Sequence, residues 1–103
     1  MQDDSFKEFV LEQLRELGQV ECRRMFGSYG MYHQGRFFGI ISKGQLYFKT
    51  SDKTRPDYEE RGMHYFQPNE KQALKHYYEV PAEVLEDAER LAAWAWKALE
   101  AGP

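Results

Sequence analysis

The sequence predicts an α+β domain in which a largely antiparallel sheet of about five to six strands carries helices on one face. Three observations predict it. Between residues 20 and 51, short aromatic and aliphatic stretches are punctuated by glycines at 27, 30, 35, 39 and 44. The two ends of the chain instead repeat apolar residues at helical spacing. At 103 residues, 42% hydrophobic and 16% aromatic, the chain has apolar surface enough for one core and no room for a second. Residues 1–103 are therefore expected to form a single domain.

Ser5-Phe6-Lys7-Glu8 has the form of a capping box, so the first helix is expected over Ser5–Leu17. Phe6, Val10, Leu14 and Leu17 line its buried face and Gly18 ends it. Strands are expected at about 20–26, 29–33, 36–42 and 45–50. Gln34-Gly35 and Lys43-Gly44 read as tight hairpin turns. Arg36–Ser42 is apolar on both faces, which places it near the sheet centre. Thr54 is the expected cap of a second helix, with Pro56 in its first turn and Gly62 at its end. Two further strands are expected at His64–Gln67 and Lys75–Val80, joined by a turn region at Pro68-Asn69-Glu70. The last helix starts near Pro81, with Val84, Leu85, Ala88, Leu91, Ala92, Ala95, Ala98 and Leu99 on one broad apolar face. Asp87 falls toward that apolar side, where it suits a cap on a second helical segment after a bend. The order is α-β-β-β-β-α-β-β-α.

Chemistry is harder to place. His33, His64 and His76 lie on different elements without metal-ligand spacing, and are expected as ordinary surface or strand-end histidines. Cys22, the sole cysteine, has no base beside it in sequence and reads as an inert, buried thiol suited to a reducing cytoplasm. The run Met25-Phe26-Gly27-Ser28-Tyr29-Gly30 has two glycines around a serine, but a strand rather than a helix N-terminus follows, so a positive-φ connection is expected instead of a phosphate cradle. The carboxylates near the C-terminus lie mostly on a solvated helix face. No catalytic residue, metal ligand or cofactor site is expected, and no membrane span.

Residues 20–55 hold seven basic side chains against Glu21 and Asp52, between two acidic ends, in a chain of net charge −3. The candidate interaction face is Arg23, Arg24, Tyr29, Arg36, Tyr47 and Lys49. Its first reading is a protein-contact surface for a partner or a second copy of the chain, making a homodimer. The alternatives are nucleic acid, held by stacking and charge, and a small molecule near the glycine-rich turn.

Several stretches together resemble the N-terminal domain of the TfoX (Sxy) family of bacterial competence regulators. They are Arg24–Tyr32, Gly35–Gly39, Leu46–Lys49, Tyr77–Pro81, Glu83–Asp87 and Leu91–Ala95, in order along nearly the whole chain. Ser28 stands where that family often has glycine. The resemblance implies a two-layer domain with an antiparallel sheet, and a part in transcriptional regulation of DNA uptake alongside a cyclic-AMP-responsive activator. It supplies no catalytic residues. The family's regulators carry a second, helical DNA-binding-like domain, and with this sequence ending at Pro103 a stand-alone copy working through protein contacts is expected.

Overall fold

Each glycine-punctuated stretch of the first half becomes a strand. A computed structural model describes residues 2–25 and 27–101. Strand β1 spans Val20–Met25, β2 Ser28–His33, β3 Arg36–Ser42 and β4 Gln45–Lys49, each pairing antiparallel with the next. The turns at Gln34-Gly35 and Lys43-Gly44 put both residues at positive φ, 52° and 81° in the first and 52° and 75° in the second. That conformation matches the twist of the strands it joins. Strand β6 (Gln72–Glu79) pairs with β4 on one side and with β5 (Tyr65–Asn69) on the other, giving the order β1-β2-β3-β4-β6-β5. The sheet is antiparallel throughout, and β3 and β4 form its middle.

Helices α1 (Gln2–Gln13), α2 (Arg55–Glu59), α3 (Ala82–Leu85) and α4 (Ala88–Glu100) lie on one side. Their inward residues, including Val10, Tyr58, Val84, Leu91 and Ala95, together with Leu14 just after α1, share one core with Met31, Phe38, Ile41, Leu46, Phe48 and Tyr78 of the sheet. A bulge sharpens that core. Met31 pairs with Gly39 and Tyr32 with Phe37, so Phe38 is an extra residue in β3. Ordinary alternation would set Phe38 and Ile41 on opposite faces; the added residue turns both into the helix-covered core.

The expected order holds, and Asp87 caps α4 by accepting from the Arg90 amide at 3.2 Å, with the bend before it. Several local expectations are corrected. The first helix begins at Gln2, so Ser5 lies inside it and is not its cap, and after Gln13 the chain tightens into a single 3-10 turn over Arg15–Leu17. Thr54 makes no cap bond of its own. The Ser51 hydroxyl instead accepts from the Lys53 and Thr54 amides, while the Thr54 hydroxyl accepts from the Ser51 amide. The turn joining the last two strands is Glu70-Lys71, held by the Asn69 side chain, which accepts from the Lys71 and Gln72 amides. Pro68 and Asn69 therefore belong to β5, at an edge where a proline's missing amide is harmless. Phe26, the expected last residue of the first strand, lies outside the described residues.

Candidate functional site

Alternation along the strands divides the candidate residues between two faces. On the side away from the helices, Ile40, Phe66 and Tyr77 are buried together, with Met25, Phe37 and Tyr47 packed against them. Phe37 stacks on Tyr77 at 5.1 Å and meets Tyr32 in a tilted contact at 5.2 Å, and Tyr47 meets Phe66 edge-on at 4.9 Å. No described helix covers this second cluster, yet Ile40 is fully buried. Its own aromatic neighbours and the β5–β6 hairpin enclose it.

That enclosure leaves a groove. Met25 of β1, Phe37 of β3, and Phe66, Pro68 and Leu74 of the hairpin line a space of about 500 Å³, with Asn69, Lys71 and Gln72 as its polar lining. β1 and β5 occupy opposite edges of the sheet. In a flat sheet they would stand roughly 24 Å apart, five strand spacings, so one groove touching both means that the sheet curls over its open face. The hairpin carries two register shifts, at Tyr65/Phe66 and Phe66/Asn69, and such irregularities bend a strand. Gly30 sits beneath this face; a Cβ there would meet Phe37 at 3.2 Å and Tyr32 at 3.3 Å. Gly27, not Gly30, supplies the positive φ of the connection, at 79°.

Of the six predicted residues, Arg23, Tyr47 and Lys49 belong to the open face. The Arg23 guanidinium lies 4.6 Å over the Tyr32 ring and 3.2 Å from the Glu21 carboxylate. Tyr47 donates to Gln45 at 2.8 Å, and Gln45 donates to Glu79 at 3.2 Å. Burial, then the Glu79 charge, push the Tyr47 hydroxyl above its usual pKa. Lys49 pairs with Tyr77 in register. Arg24 and Tyr29 point the other way. Tyr29 is buried under α1, donating to Asp4 at 2.7 Å, with Lys7 and Arg24 over its ring at 4.8 and 5.1 Å. That hydrogen bond holds the Asp4 carboxyl below its usual range. Arg36 pairs with His33, whose ring packs edge-on against Trp96 of α4 at 5.5 Å, so it too belongs to the helix side. The basic middle of the sequence is thus not one patch. Arg55 is likewise engaged, with Asp52, Thr50 and His76.

The TfoX N-terminal domain matches residues 12–102 of the chain. The protein belongs to the TfoX N-terminal domain family. No curated protein matched it. In this TfoX domain the match takes in all six strands and α2 to α4, while most of α1 precedes it.

The remaining reactive side chains are dispersed. His33, which is buried, contacts the Gln19 carbonyl, His64 the Tyr65 carbonyl and His76 the Arg55 guanidinium, at three separate places. Cys22 is half-buried against the helix-side core, and burial raises its thiol pKa, with Lys7 opposing. No group of three or more His, Cys, Asp or Glu converges among the described residues, and no helix there is long and apolar enough to cross a membrane. Sequence reasoning missed Met25, Phe66 and Leu74 as site residues. The one signal available was Ala73-Leu74, an apolar pair in a polar hairpin, and Leu74 is 38% exposed.

Proposed function

We propose that this TfoX N-terminal domain is a non-enzymatic protein-interaction module of cytoplasmic transcriptional regulation, in the competence class of its family. It receives an apolar segment of a partner protein in the groove beneath the β5–β6 hairpin. The observation that carries the reading is that groove: an apolar trough of about 500 Å³ built from both edges of the sheet. Concave apolar sites with a few polar groups at the margin are where ligands and peptide anchors dock. Charge favours protein over nucleic acid. The open face mixes Glu21 and Glu79 with Arg23 and Lys49, whereas a phosphate backbone selects a surface of one sign. Its rings also pack on one another rather than standing free to stack on bases.

A random peptide library displayed on phage tests the reading. Enriched peptides are expected to carry hydrophobic or aromatic anchors and to lose binding to Leu74→Glu, a substitution at an exposed position that leaves the thermal melt in place. Peptides unaffected by Leu74→Glu, no enrichment at all, or a small apolar molecule held in the groove by native mass spectrometry would each overturn it. So would DNA or RNA binding at low salt that falls with counterion concentration and is blocked by groove substitutions. For the regulatory clause, a strain carrying Leu74→Glu is expected to lower transcripts of the DNA-uptake genes. Unchanged transcripts would remove that clause.

A further inference from the structure

The two edges of the sheet are built differently. β5 ends the sheet on one side with Pro68, which has no amide to offer, and with two breaks in register against β6. Such features stop a further strand from adding. β1 ends it on the other side with neither. Val20–Met25 runs through six consecutive pairs with β2 without a shift, contains no proline or glycine, and has β2 as its sole neighbour in the sheet.

The charges on β1 are self-complementary. Glu21 and Arg23 sit two residues apart on the open face, both exposed, and are already 3.2 Å apart. An antiparallel pair of β1 strands centred on Cys22 sets Glu21 opposite Arg23 of the partner subunit, and Arg23 opposite Glu21 of the partner subunit. Four charges then alternate in sign across the dyad. Moving the centre one residue either way sets Glu21 against its own copy, or Arg23 against its own copy. Like charges directly opposite are unfavourable. The side chains that repel a misregistered strand therefore also specify this register.

We infer that β1 is a homodimerisation edge, and that its occupant is β1 of a second copy, paired antiparallel about Cys22. The result is a continuous sheet of two domains with both α1 helices on the same side. Both outer ends are the proline-bearing β5 edges, so assembly closes at two copies. This pairing is independent of what the groove receives.

Sedimentation equilibrium of the full chain tests it. A dimer is expected, with Glu21→Arg or Arg23→Glu each raising the dissociation constant about tenfold or more, because every single reversal places like charges across the dyad. The double variant Glu21→Arg/Arg23→Glu restores the alternation and is expected to return the constant to near the parent value. Circular dichroism melts are expected to show each variant folded, because both side chains are exposed. A monomer at the highest attainable concentration overturns the inference. So does a dimer indifferent to the single reversals, or one that the double variant fails to restore. Peptide binding in the groove is measured separately, so loss of either proposal leaves the other standing.

Discussion

Gly39 shows how little space the centre of the sheet allows. A Cβ at this position would lie 2.9 Å from the Tyr47 carbonyl oxygen, a backbone atom in the adjacent strand that cannot rotate away. Gly39→Ala is therefore expected to destabilise the fold by about 1–3 kcal/mol, the usual cost of overpacking. At Gly30 the nearest atoms are ring edges and the Met25 sulfur, which yield by small rotations, so Gly30→Ala costs less. Urea denaturation of the two variants compares them directly; equal losses would show that the backbone contact is not the controlling one. At this scale much of the site was illegible in the sequence. Period-two alternation groups Tyr47 with Lys49 in β4 and Cys22 with Arg24 in β1, as the structure does. It could not show which face the helices cover, because that is decided by α1 and α4, which arrive from the two ends of the chain. Tyr29 therefore reads as a surface candidate although α1 covers it, while Arg36 does stay exposed, on the helix side of the sheet.

At the scale of elements the sequence was more informative. Paired turn residues with glycine located the β2–β3 and β3–β4 hairpins, since few sequences accept two consecutive positive φ angles. Asp87 identified the break between α3 and α4 because a carboxylate on an apolar helix face has a physical reason to be a cap instead. Asp87→Ala is expected to cost about 1 kcal/mol, with Asp87→Asn or Asp87→Ser recovering most of it, as read from thermal melts. Recovery by neither would mean that the side chain's bond to the Arg90 amide is not what stabilises α4. The bulge at Phe38 was hidden, because a single extra residue in an aromatic strand leaves no compositional trace. So was the start of α1, where the Ser5–Glu8 pattern mimics a box that the helix passes straight through.

The molecule as a whole holds protons on buried tyrosines. Burial pushes Tyr77 up to about 12 and Tyr58 higher still, the Asp57 charge adding to the latter. An unfolded tyrosine releases its proton near pH 10. With the folded pKa raised, the stabilisation is complete below about pH 10 and is lost as pH rises toward the folded value. Stability from urea denaturation is expected to be level from about pH 7 to 9.5 and to fall between about pH 10 and 12, by about 1.4 kcal/mol per pH unit for each such tyrosine. Absorbance at 295 nm should show these phenols ionising only as the protein unfolds. A flat profile through pH 11, or free early titration of every tyrosine, would contradict the burial described.

The groove has a thermodynamic consequence. Its lining comes from Met25 near the start of the chain's sheet and from Leu74 in its last hairpin, so the lining is assembled only when β1 through β6 are all in place. A half-folded chain has no version of this site to offer. Whatever binds there binds the native state alone, and its full affinity is returned as resistance to unfolding, growing with the logarithm of ligand concentration. The melting temperature of this domain is thus itself an assay for occupancy, and candidate peptides can be ranked by the thermal shift they produce, without a label on either partner.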